Sequence, residues 1–106
     1  MDIRVFNTRA QARRIKAWRD LIDAVEKAPL EHLWFSDGAL SYFEVRFIGA
    51  PVTERETGDV YWVERVKVGE DVHEYTVRRF DGARITRAGE TETAEEAIEF
   101  LASVAS

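Results

Sequence analysis

The chain has 106 residues, 45% of them hydrophobic and 33% charged, with 3 Trp, 3 Tyr, 6 Phe and a formal net charge of -5. This is the size and make-up of one globular domain spanning residues 1–106, and it excludes a disordered chain. The absence of cysteine removes disulfide frameworks, thiolate metal sites and thiol nucleophiles; without a signal-peptide pattern or a run of roughly 18 apolar residues, a soluble cytoplasmic protein with no membrane association is expected.

Ile3, Val5 and Phe6 suggest a short first strand. The segment T-R-A-Q from Thr8 is a capping-box pattern, and Ile15, Trp18, Leu21, Ile22 and Val25 then recur at spacings of three and four, which predicts a helix over residues 9–28, ended by Pro29. In the centre the period changes to two. Residues 33–35 are expected to form a short strand, Asp37-Gly38 a turn, and residues 41–48 a half-buried strand with Phe43, Val45 and Phe47 on one face. Residues 49–59, with Pro51 and several Thr and Glu, are expected to be a long exposed connection.

Residues 60–68 and 72–80 flank Gly69-Glu70-Asp71 and predict a hairpin of β-branched and aromatic residues. If Val68 pairs with Val72, Val63 faces Val77 and Trp62 faces Arg78; a bulge at the turn would alter that register. Asp81-Gly82 leads to an edge strand over residues 83–87, where Arg84 and Arg87 discourage edge-to-edge association. T-A-E-E from Thr93 is a second capping box, followed by the stripe Ala94, Ala97, Ile98, Leu101 and Ala105 of a last helix. The expected fold is α+β: an antiparallel β-meander of four to six strands with an N-terminal and a C-terminal helix, in β-α-β-β-β-β-β-α order, the helices most economically on one face.

Motifs for chemistry are lacking. His32 and His73 have no ligand-spaced companions, so no metal is expected. The carboxylate pairs fall in a polar loop, a turn tip and a helix flank, without the unlike environments that acid–base catalysis needs. The six glycines are scattered singly, which gives neither a phosphate-binding loop nor a dinucleotide fingerprint. No catalytic residue and no cofactor are expected, and the chain is not expected to be an enzyme.

Charge and aromatics are more informative. Residues 1–28 hold seven Lys or Arg against four Asp or Glu, and residues 29–106 hold eight against sixteen. Arg9, Arg13, Lys16, Asp20, Asp23 and Lys27 share one stripe of the first helix, where Lys16 can pair with Asp20 and Asp23 with Lys27. Arg9 and Arg13 remain, held against the helix dipole. Tyr42 and either Tyr61 or Trp62, if they share an open sheet face with Arg46, Arg65 and Arg78, have the composition of a protein interface. Glu92, Glu95, Glu96 and Glu99 form an acidic patch suited to a positively charged partner surface.

The opening I-R-V-F-N-T-R-A-Q-A-R-R, a short strand running into an Arg-rich helix, resembles the start of many small accessory proteins of bacteriophages and mobile elements. The small acidic α+β build resembles several anti-CRISPR proteins. That resemblance implies a stoichiometric inhibitor occupying a surface of a host defence complex, and no functional residue is carried over with it. The expected function is therefore a non-enzymatic binding protein that blocks a partner surface through Arg9, Arg13, Lys16, Tyr42, Tyr61, Trp62, Glu92, Glu95 and Glu99. The alternatives are a small nucleic-acid-binding regulator using Arg9, Arg13 and Lys16, and a small enzyme or sensor with its site under residues 49–59. A homodimer through the open sheet face accounts equally well for the aromatics.

Overall fold

The computed structural model describes residues 5–6, 13–27 and 45–105. Its elements are β1 (Val5–Phe6), α1 (Lys16–Glu26), β2 (Val45–Thr53), β3 (Val60–Gly69), β4 (Val72–Phe80), β5 (Ile85–Thr91) and α2 (Ala94–Ala105). The strands form one antiparallel sheet in the order β1-β2-β3-β4-β5, so the fold is the α+β meander expected. The predicted strand over residues 33–35, the Asp37-Gly38 turn, the Thr8 cap, Arg9 and Tyr42 lie outside the described residues.

The hairpin of β3 and β4 has the register that the alternation predicts: Val63 is opposite Val77 and Trp62 opposite Arg78. The turn end differs. Gly69 pairs with Val72, which leaves Val68 as an extra residue in a bulge, and Asp71 adopts φ +57°, a conformation that Asp tolerates better than most side chains. β5 starts two residues later than expected and runs further, to Thr91; Arg84 belongs to the preceding turn. There the Asp81 carboxylate accepts the Ala83 and Arg84 amides at 2.9 and 2.8 Å.

The two helices pack on opposite faces, which corrects the one-face arrangement. Trp18, Leu21 and Ile22 of α1 pack with Phe47, Trp62, Phe80 and Ile85, the even-numbered side of β3 and β4. Ala97 and Leu101 of α2 pack with Ile48, Tyr61, Val63 and Val77 on the odd-numbered side. The physical reason lies in β3 itself. Tyr61, Trp62, Val63 and Glu64 are buried in succession, and successive side chains point to opposite faces, so both faces need cover.

α1 is also shorter than its sequence pattern. Residues 13–15 are turn and bend, and the Ile15 carbonyl accepts the Arg19 amide at 2.9 Å to open the helix. Residues 49–53, expected in a loop, continue β2. Between Ile48, opposite Val63, and Val52, opposite Tyr61, β2 carries two more residues than β3, and Gly49 takes φ +66° there. This bulge turns the Gly49 carbonyl toward α1, where it accepts the Trp18 indole N–H. The connection proper is the six-residue loop between Thr53 and Val60, closed by Glu54 N–H to the Asp59 carbonyl at 2.8 Å and by Gly58 N–H to the Glu54 carbonyl at 2.9 Å.

Candidate functional site

On α1, Arg13 does not stand unpaired against a dipole. It precedes the first helical residue, and its Nη1 is 3.1 Å from Asp23 Oδ1. Lys16 pairs with Asp20 at 2.6 Å, as expected from their spacing. Asp23 therefore pairs with Arg13 rather than with the expected Lys27.

The aromatic sheet face is not open. Tyr61 and Trp62 are neighbours on β3, so they point to opposite faces, and each is buried under a different helix. Trp62 has no exposed surface; its indole N–H donates to Glu64 Oε1 at 3.0 Å. Arg78, expected beside it on a solvent face, is 3% exposed and places Nε 3.3 Å from Glu64 Oε2. Trp62 and Arg78 thus bracket one buried carboxylate, which satisfies charge and hydrogen-bonding needs that burial would otherwise make costly. Interface chemistry was inferred from residues that the fold uses internally.

Tyr61 sits on the other face. Its hydroxyl donates to Glu54 Oε2 at 3.2 Å, and burial together with the adjacent Glu54 carboxylate pushes the phenol pKa up. The Thr57 hydroxyl also donates to that Glu54 oxygen, at 3.1 Å. Asp59, buried at the foot of the loop, pairs with Arg79 Nε at 2.8 Å. These contacts fasten the 54–59 loop to the sheet, where the sequence had suggested a cover for a small-molecule site.

The acidic patch lies at the surface. Glu92, Glu95, Glu96 and Glu99 are all exposed, and none of the four is in an ion pair. Thr93 caps α2: its hydroxyl accepts the Glu96 amide at 3.2 Å and donates to Glu96 Oε1 at 3.0 Å. The sequence pattern anticipated Glu96 reaching back to a backbone N–H; here it meets the capping hydroxyl instead. Glu95 and Glu96 in the first turn are favoured by the helix dipole, so this charge can be held without a cationic neighbour.

No match is found. Neither family models, nor curated proteins, nor solved structures contain a chain similar to this one at a significant level. The chemistry must therefore be read from the residues alone.

Among the described residues, no group of three or more His, Asp or Glu is placed to hold a metal ion, and no helix is long and apolar enough to cross a membrane. Two features escaped the sequence reading. The first is the buried Glu64–Arg78 pair, whose signal was present in the W-x-E spacing on β3 and the predicted Trp62–Arg78 register. The second is the proximity of Glu74 on β4 to Glu90 on β5: a hydrogen bond between their carboxyls, and then the Glu90 charge, raise the Glu74 pKa, while Arg87 opposes the shift. Arg87 itself forms an ion pair with Glu90. The first strand reading stopped β5 at Arg87, and so left Glu90 off the sheet.

Proposed function

We propose that this protein is a non-enzymatic binding protein that acts by occupying a basic surface of a partner protein. The observation that carries this reading is the unopposed row Glu92, Glu95, Glu96 and Glu99 on and just before α2, four exposed carboxylates with no ion-pair partner. An acidic row of this kind speeds encounter with a cationic surface and selects against anionic ones. The first helix gives less support to a nucleic-acid regulator, since Arg13 and Lys16 are already committed to Asp23 and Asp20. Such pairs would have to be broken before either cation could neutralise a phosphate.

The resemblance of the opening sequence and of the small acidic α+β build to phage accessory proteins extends the proposal: the partner is a component of a host defence complex, of the CRISPR-Cas kind, whose positively charged nucleic-acid channel the acidic row would fill. The test has two arms. Expression in a host with active CRISPR-Cas immunity should restore plating of a targeted phage, and the Glu95→Lys/Glu99→Lys variant should not. Partner capture from the same host should be lost in that variant, with its thermal melt unchanged. Capture unaffected by the double reversal removes the α2 row from the function.

A further inference from the structure

Val68 and Val72, at the tip of the β3–β4 hairpin, are the exposed large hydrophobic residues among the described ones, at 55% and 54%. Each sits there for an identifiable reason. Val68 is the extra residue of the bulge, and Val72 is the first residue of β4 after the tight turn. The apolar contacts of α1 with this side of the sheet extend to Phe47, Trp62, Phe80 and Ile85, and its helix does not reach the tip.

The tip is concave. Val68, Val72, His73, Glu74, Glu90 and Glu92 line a shallow hollow of about 520 Å³. Its charge is one-sided: Glu70, Asp71, Glu74, Glu90 and Glu92 flank the two valines, against Lys67 and Arg87. Glu74 and Glu90 lie diagonally on the same face of neighbouring strands, and Glu90 is ion-paired with Arg87. That pairing leaves Glu74 and Glu92 as the lining carboxylates that an incoming cation would neutralise. Exposed aliphatic side chains with an acidic rim match one kind of occupant.

We infer that this hollow is a docking site for a partner-protein segment in which an apolar side chain, seated between Val68 and Val72, is flanked by lysine or arginine reaching Glu74 and Glu92. Nucleic acid is excluded by the sign of the charge. The inference rests on the binding reading above and adds a second, more specific contact, which shares Glu92 with the α2 row.

The test uses the whole protein, labelled with nitrogen-15, and the peptide acetyl-Arg-Arg-Leu-Arg-Arg-amide as probe, with acetyl-Ser-Ser-Leu-Ser-Ser-amide as control. The basic peptide should give saturable shifts at the amides of Val68, Val72, Glu74 and Glu90, and the control none. Val68→Ser/Val72→Ser, which removes two exposed methyl-bearing groups from a folded surface, should weaken binding by about tenfold or more, and Glu74→Gln/Glu92→Gln should do the same through charge. Unchanged affinity in the valine variant overturns the site, as do shifts confined to Glu95, Glu96 and Glu99. Shifts at the tip that follow protein concentration without peptide assign it to a second copy of the chain and also overturn the inference. Partner capture that survives the valine variant but not Glu95→Lys/Glu99→Lys rejects the tip and leaves the binding function standing; peptide binding at the tip with no effect of the α2 reversal on capture does the opposite.

Discussion

Arg78 on β4 and Glu64 on β3 form an ion pair in which both side chains are almost wholly removed from water, with 3.3 Å between Nε and Oε2. Trp62 donates to the second oxygen of the same carboxylate. The carboxylate belongs to the same side of β3 as the aromatic core under α1, so the pair is part of the layer that orients β3 against β4. Its desolvation cost is met only while both partners are present.

Arg78→Met should therefore destabilise the fold by about 3–5 kcal/mol, since it strands a buried carboxylate. The double variant Arg78→Met/Glu64→Leu should lose less than the sum of the two single changes, because no uncompensated charge remains. Urea denaturation followed by circular dichroism measures all three. Additive losses would show that the two groups act independently.

The bulge in β2 and the α1 indole make a second coupled pair. Trp18→Phe keeps an aromatic ring in the core but leaves the Gly49 carbonyl without the indole N–H, at a cost of about 1–3 kcal/mol. Gly49→Ala should cost about 1–2 kcal/mol by a different route, because an added Cβ would be 3.7 Å from Ile98 Cδ1, an ordinary contact, whereas φ +66° is unfavourable for an L side chain. Thermal melts of both variants check this; a Gly49→Ala protein as stable as the parent would show that the bulge relaxes freely.

Two carboxylates give opposite pH dependences. Glu74 has its pKa raised by its hydrogen bond to Glu90 and by that neighbour's charge, so the folded protein holds this proton more tightly than the unfolded chain does. Its stabilising contribution is full below the ordinary glutamate pKa of 4.5 and is lost as pH rises through the higher folded value. Asp81 has its pKa lowered by the Ala83 and Arg84 amides, so its contribution is present above the ordinary aspartate value of 3.8 and disappears as pH falls through the lower folded value. Melting temperatures measured across that acidic range should show Glu74→Gln gaining stability relative to the parent as pH rises above 4.5, and Asp81→Asn losing it at every pH above 3.8. The same pH profile in the Glu74→Gln variant and the parent would refute the carboxyl pairing.

Strand pairing was legible in the sequence because it depends on local signals: the period of two through β3 and β4 and the short turn between them are enough to put Val63 opposite Val77. The layer arrangement was not, since one helix-covered face was expected where β3 is buried on both. Val60-Tyr61-Trp62-Val63 is a continuous apolar run, the mark of a strand covered on both sides. At the candidate surfaces the reading divided in the same way. Exposure of Glu95 and Glu99 followed from helix periodicity, whereas the fate of Tyr61, Trp62 and Arg13 depended on partners distant in sequence: a helix on each face, and Asp23 ten residues away. Gly49-Ala50-Pro51 was taken for a loop because Gly and Pro usually break strands; a bulge accommodates both.

Opposite placement of the helices also sets an order of events during synthesis. The sheet and α1 precede α2 in the chain, so one side of the sheet has its helix available before the other. Until the ribosome has released α2, the side bearing Ile48, Val63 and Val77 lacks the cover that α2 gives it, and a nascent chain paused there presents a greasy strip to chaperones and to neighbouring chains.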